Sequence, residues 1–153
     1  MTQKKILIVD AYYYDEVSTN LIDGIKSSLN DEFKELNLKP DYIIVAGALE
    51  IPQAINLVLK KTNYDGIIAV GCIIRGETSH YDIVADNSAR GIMELSFKYN
   101  TPITNAVLTV DNYDQAIARS KERGQHAVKA LIGLMNIGTV SYTHLTLPTS
   151  DLV

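Results

Sequence analysis

Four short apolar runs constrain this chain more than anything else in it. They are "KILIVD" (Lys5–Asp10), "YIIVAG" (Tyr42–Gly47), "GIIAVG" (Gly66–Gly71) and "NAVLTV" (Asn105–Val110). Each is rich in β-branched residues and continuous rather than alternating. A strand with one face in water alternates, whereas a continuous run marks a strand covered on both faces. Between the runs the apolar spacing changes to three and four. Val17, Leu21, Ile22, Ile25 and Leu29 form one helical stripe. Ala54, Ile55, Val58 and Leu59 form a second after Pro52, a residue suited to the start of a helix. Ile83, Val84, Ala89, Ile92, Met93 and Phe97 form a third. "DNYDQAIARS" opens a fourth helix, with Asn112 and Gln115 at capping-box spacing, and "HAVKALIGLMNI" gives a fifth.

The order β-α-β-α-β-α-β-α-α predicts an α/β fold, with a parallel sheet, helices on both faces and right-handed crossovers. The chain has 153 residues, the size of one domain. The segment Gly138–Val153 breaks the pattern: it is Thr-rich, lacks a helical period and contains Pro148. The expected domain is therefore 1–137. The tail 138–153, with His144, is set aside as non-native or disordered. A net charge of −4 gives no electrostatic case for nucleic acid. No apolar stretch approaches the roughly 20 residues of a membrane span. "MTQKK" leads straight into a strand run with no visible signal peptide, and the lone Cys72 cannot form an internal disulfide. A cytoplasmic location is the expectation.

In parallel α/β sheets ligands bind beyond the carboxyl ends of the strands. That is where this chain concentrates polar chemistry: "DAYYYD", "AGALEIP", "GCIIRGETSHYD" and "DNYD". In the third, a Gly–x–Thr–Ser turn opening a helix offers N–H groups, hydroxyls and a positive dipole end to an anion, or else Thr78 or Ser79 simply caps the helix. His80 is either a proton carrier or a surface or capping histidine. Arg75 either binds phosphate or pairs with a carboxylate on a neighbouring element. Cys72 reads as core packing. Glu50 either caps the next helix or accepts hydrogen bonds from ligand hydroxyls, with Gly47 and Ala48 permitting close approach. One of Tyr12, Tyr13 and Tyr14 suits stacking on a planar heterocycle, and the others suit packing. Arg119 and Arg123 lie one helical turn apart and either clamp a phosphate or form a solvated face.

Taken together, "GALEIP", "IRGETSHYD" and "LTVDNYDQAIAR" resemble lumazine synthase, the 6,7-dimethyl-8-ribityllumazine synthase family, over roughly Lys5–Asn136. The resemblance implies a flavodoxin-like three-layer αβα sandwich with a four-stranded parallel sheet. It implies a transferase of riboflavin biosynthesis that condenses 5-amino-6-(D-ribitylamino)uracil with 3,4-dihydroxy-2-butanone 4-phosphate and needs no metal or organic cofactor. By position it makes Tyr13 the residue stacking on the pyrimidine. Ala48 and Glu50, with Leu49 between them, meet the ribityl chain, and Ile73 and Ile74 line the pyrimidine pocket. Gly76, Glu77 and Thr78 hold the phosphate, His80 carries protons, and Arg119 binds phosphate. Asn105 is contributed to a neighbouring subunit's site.

Two departures touch this pattern. "RSKERG" is shorter than the family's usual segment, so Arg123 either replaces the usual lysine or does not reach the site. The chain also lacks the longer N-terminal strand that some members lend to a neighbour. The implied assembly is a homopentamer with shared sites. The kink that accompanies shells of twelve pentamers is missing, which favours the free pentamer. Riboflavin synthase is the implied partner enzyme. The rivals are a flavodoxin, a signalling receiver and a Schiff-base aldolase. This chain lacks what each of them needs: respectively, a small phosphate loop after the first strand, an acidic residue after the third, and a lysine at a strand end. A flavin- or lumazine-binding module without catalysis stays open as the alternative.

Overall fold

The computed structural model describes residues 3–139. Its elements are β1 (Ile6–Ala11), α1 (Asp15–Asn30), a single 3-10 turn (Lys34–Leu36), β2 (Asp41–Val45), α2 (Glu50–Leu59), β3 (Gly66–Ile74), α3 (His80–Tyr99), β4 (Ile103–Val110) and α4 (Tyr113–Thr139). The four strands form one parallel sheet in the order β2-β1-β3-β4. This is the expected three-layer α/β architecture. Among the described residues no helix is long and apolar enough to cross a membrane.

The continuous apolar runs of β1, β3 and β4 are explained by two cores, one on each face. β2, expected to be covered on both faces, is instead an edge strand with no buried residue and with Tyr42 and Ile44 exposed. Ile6, Ile8, Ile68, Val70, Ala106 and Leu108 face α1 and α4, meeting Leu21, Ile25, Val128 and Leu131. The alternate residues Leu7, Val9, Ile67, Ala69 and Val107 face α2 and α3, meeting Ile51, Ile55 and Ile92. Successive side chains of a strand point to opposite faces, so covering both faces makes every position apolar. The covering is uneven. Only Ser88 and Ile92 of α3 are buried, and Ile83, Met93 and Phe97 stand exposed along it.

Two expectations need correction. β3 runs on to Ile74, so Gly71–Ile74 belongs to the strand and the polar loop starts at Arg75. The fourth and fifth helices are one continuous helix, α4, which extends through Gly138 and Thr139. Residues 140–153 of the segment set aside above lie outside the described residues. The helices merge because Gly124, in the stretch between the two helical patterns, is a contact. A Cβ there would collide with the Leu21 carbonyl of α1, and one at Gly24 would collide with the Lys121 carbonyl of α4. The two glycines let the helix backbones touch. The close packing offsets the roughly 1 kcal/mol that glycine costs inside a helix. The helix starts as its sequence predicts: Asn112 Oδ1 accepts the Gln115 N–H at 2.9 Å, and Gln115 Oε1 accepts the Asp111 N–H at 2.8 Å.

Asp10 is the only charged residue in the core among the described residues. It lies in β1, where Ser18 Oγ donates to its Oδ1 at 3.2 Å and the Tyr42 hydroxyl donates to its Oδ2. The two bonds tie α1 and β2 to the end of β1. Burial raises the Asp10 pKa, and the two hydrogen bonds oppose that rise without cancelling it. A carboxyl that holds its proton more tightly when folded makes stability fall as pH rises from the ordinary value of 3.8 through the folded pKa. Asp10→Asn removes that fall. Its stability relative to the parent is therefore expected to improve as pH increases from about 4 to 7. Urea midpoints measured across that range check the sign. A pH-independent difference would mean Asp10 is not the titrating group.

Candidate functional site

The strand order places a reversal between β1 and β3: the chain steps from β1 out to β2, then back past β1 to β3. Helices leave such a point in opposite directions and open a crevice at the carboxyl ends of the strands. A cavity of about 450 Å³ lies there. It gathers residues from three separate strand ends: Ala11, Tyr13 and Tyr14 after β1; Gly47, Ala48, Leu49 and Glu50 after β2; and Cys72, Ile73 and Ile74 on β3, with His80 and Val84 on α3.

Seven residues proposed from the sequence thus meet in one place: Tyr13, Ala48, Leu49, Glu50, Ile73, Ile74 and His80. Tyr13 is 70% exposed and presents its ring to solvent. Ala48 and Ile73 are buried and form apolar wall. Glu50 is the first residue of α2, where its charge suits the positive end of the helix. Its N–H donates to the Gly47 carbonyl at 3.1 Å. Its carboxylate makes no hydrogen bond or ion pair among the described residues, which leaves its oxygens able to accept from a ligand. His80 opens α3. Its imidazole is exposed and likewise has no partner among the described residues. Cys72 is half-buried, and burial pushes its thiol up to about 11, so it packs rather than reacts.

The loop between β3 and α3 has a division of labour. Arg75 is an anchor. Its N–H donates to the Val110 carbonyl at 2.9 Å and its Nε to Asp111 Oδ1 at 3.2 Å. Its Nη1 lies 3.8 Å from Asp82, and its guanidinium sits 4.2 Å above the Tyr81 ring. Of the two sequence readings of Arg75, the carboxylate pair is the one formed. Thr78 Oγ1 accepts the His80 N–H at 3.3 Å and so ties the loop to the first residue of α3, while Ser79 at the N-cap position makes no side-chain capping bond. Gly76, Glu77 and Thr78 are exposed, and their N–H groups donate to no atom of the described chain. Three free N–H groups at the start of a 20-residue helix are suited to an anion.

Arg119, Arg123 and Asn105 are elsewhere. β4 is an edge strand, and a groove of about 310 Å³ runs between it and α4, lined by Val107–Val110, Arg119, Glu122, Arg123 and His126. Arg123 Nη2 donates to the Asn105 carbonyl at 3.0 Å. Asn105 Oδ1 accepts the N–H of Val107 at 2.8 Å. Arg119 Nη1 reaches only the Gln115 carbonyl of its own helix, at 3.4 Å. None of these three residues lines the first cavity. The first cavity contains a carboxylate and an imidazole but no lysine or arginine, whereas the groove contains two arginines.

Sequence reasoning missed Tyr14 and Val84 as lining residues of the cavity and His126 as a lining residue of the groove. His126 pairs with Glu122 at 3.7 Å. Its signal was available, because Arg119, Arg123 and His126 follow four-then-three spacing on one helix face. Among the described residues no group of three or more His, Cys, Asp or Glu is placed to hold a metal ion.

Residues 3–138 match the family model described as 6,7-dimethyl-8-ribityllumazine synthase. The chain is 44% identical over 135 residues to the 6,7-dimethyl-8-ribityllumazine synthase of Novosphingobium aromaticivorans, covering 86% of this chain and 94% of that protein. It is 40% identical over 146 residues to the enzyme of the same name from Agrobacterium fabrum, covering 90% of this chain and 96% of that protein. A third relative of that name, from Methylobacterium radiotolerans, is 39% identical over 135 residues, covering 86% of this chain and 80% of that protein.

Proposed function

The chain belongs to the 6,7-dimethyl-8-ribityllumazine synthase family, and we propose that it condenses 5-amino-6-(D-ribitylamino)uracil with 3,4-dihydroxy-2-butanone 4-phosphate in a site built from two copies of the chain. The observation that carries the shared site is the separation of the two half-sites. The cavity at the β1–β3 crevice has aromatic, apolar and hydrogen-bonding groups for a pyrimidine with a polyol chain, and no cation. The β4–α4 groove has the cations and an open strand edge. Each supplies what the other lacks.

In the assembled site Tyr13 stacks on the pyrimidine, and Ile73 and Ile74 line its pocket. Ala48, Leu49 and Glu50 receive the ribityl chain. The N–H groups of Gly76, Glu77 and Thr78 and the guanidinium of the neighbour's Arg119 hold the phosphate, with Arg123 and Asn105 flanking it. The amine of the pyrimidine attacks the ketone and forms an imine with loss of water. Phosphate is then eliminated, and the ribityl-bearing amine closes the second ring with loss of a second water. His80 carries the protons these steps exchange. Both reactants are intrinsically reactive, so holding them together supplies much of the acceleration. Mixing the protein with both substrates and following lumazine absorbance tests the reading. No absorbance above the uncatalysed rate would leave only a binding module.

The assembly proposed is a homopentamer, with riboflavin synthase as partner enzyme. Support comes from α3, which leaves Ile83, Met93 and Phe97 exposed in line, a surface that cyclic closure would cover. Light scattering on the purified protein is expected to give a five-chain mass. The mass of a twelve-pentamer shell would overturn the free pentamer. An active monomer would overturn the shared site.

A further inference from the structure

The chain has nine tyrosines and no tryptophan. Three of the tyrosines form a ladder at the mouth of the crevice. The Tyr13 ring meets Tyr14 edge-on, with centroids 4.9 Å apart and planes at 71°. The Tyr14 ring in turn lies 6.0 Å from that of Tyr113, tilted by 58°. Tyr13 and Tyr14 line the cavity and Tyr113 does not. Tyr113 is the first residue of α4, and its hydroxyl donates to Glu16 Oε2 in the first turn of α1 at 3.2 Å. Tyr14 occupies the N-cap position of α1 but makes no capping bond with its side chain. Its side chain serves the ladder instead.

A ring as exposed as that of Tyr13, on the turn after a strand, has several rotamers open to it, and a ligand that stacks on it must select one. Edge-to-face contact with Tyr14 restricts that choice before the ligand arrives. Tyr14 is restricted in turn by Tyr113, whose hydroxyl is latched to Glu16. We infer that Tyr113 is a positioning residue for the reaction: acting through Tyr14, it holds the Tyr13 ring in the orientation that stacks on the pyrimidine. The inference rests on the reading of Tyr13 as the stacking residue. A purely structural role fits less well. Tyr113 is 41% exposed and belongs to neither core cluster.

The test compares Tyr113→Leu, Tyr113→Phe, Tyr13→Leu and the Tyr13→Leu/Tyr113→Leu double variant in the full chain. KM for each substrate, kcat and the thermal midpoint are measured. Because no tryptophan masks it, quenching of tyrosine emission by the pyrimidine also gives its Kd without turnover. Tyr113→Leu is expected to raise pyrimidine KM and Kd about two- to tenfold, the worth of one aromatic pair, with the butanone phosphate KM held within about twofold. Tyr113→Phe keeps the ring and loses only the latch to Glu16, and is expected to lie between the parent and Tyr113→Leu. The double variant is expected to be no worse than Tyr13→Leu alone, since Tyr113 acts through Tyr13. Parent-like pyrimidine binding in Tyr113→Leu, beside weakened binding in Tyr13→Leu, overturns the ladder. So does an equal rise in both KM values with a lowered midpoint, which marks a structural role. Parent-like binding in Tyr13→Leu overturns the stacking assignment itself, and the ladder with it. Should Tyr113→Leu not fold, Tyr113→Met makes the same comparison.

Discussion

Replacing His80 with alanine is expected to lower kcat by about 100-fold, with a thermal midpoint close to that of the parent. General acid–base groups contribute typically about 10²–10⁴-fold, and the lower end applies because both substrates already react in solution. The imidazole is exposed, lines the cavity and has no partner among the described residues, so its loss removes no packing and no hydrogen bond. The His80 N–H bond to Thr78 Oγ1 is made by the backbone and survives the substitution. Imidazole is the side chain whose ordinary titration lies near neutrality, so one group can both give and take the protons of imine formation and phosphate release. The pH profile separates this role from simple contact with substrate. The parent kcat is expected to bend with pH, and that of His80→Ala to lose that bend. A variant with the parent's kcat, or one that keeps the bend, removes His80 from proton transfer.

β1, β3 and β4 were legible because they are buried on both faces, and burial on both faces erases alternation; β2 reads the same in sequence yet lies at the sheet edge with no buried residue. The crevice was legible for a related reason. Repeated βα units imply parallel strands, and parallel strands put every connection that follows a strand at the same end of the sheet. Tyr13, Glu50 and His80 therefore had to come out near one another. Strand order is not written in any local pattern, so nothing near "NAVLTV" announced that β4 would be an edge. That fact sends Arg119 to a groove apart from the cavity, with Asn105 beside it on β4, bonded to Arg123. The contact at Gly124 was not legible either. Its meaning depends on the Leu21 carbonyl, far away in sequence, and local propensity reads only the cost of the missing side chain. Asp10 read as the polar end of a strand. It is a buried carboxylate whose partners, Ser18 and Tyr42, come from two other elements.

Arg119→Ala is expected to raise the KM for butanone phosphate about 10- to 100-fold, and to leave the KM for the pyrimidine within about threefold. A hydrogen bond to a charged group is worth roughly 1.5–3 kcal/mol, which sets that range. The guanidinium is exposed and held only by the long bond to Gln115 of its own helix, so the fold loses little. Equal effects on both substrates would refute the phosphate assignment. The sharper measurement combines the two variants. His80 lines the crevice and Arg119 the groove beside β4, so a site built from two copies takes one of these residues from each chain. Co-expressed His80→Ala and Arg119→Ala chains that mix at random would then form about a quarter of their sites from two unaltered halves. With butanone phosphate well below the KM of Arg119→Ala, activity is expected to recover to about that fraction of the parent, above either variant alone, with a parent-like KM for both substrates in the recovered sites. Oligomers shown to contain both variants, yet with no recovery, would mean that His80 and Arg119 serve the same site from the same chain.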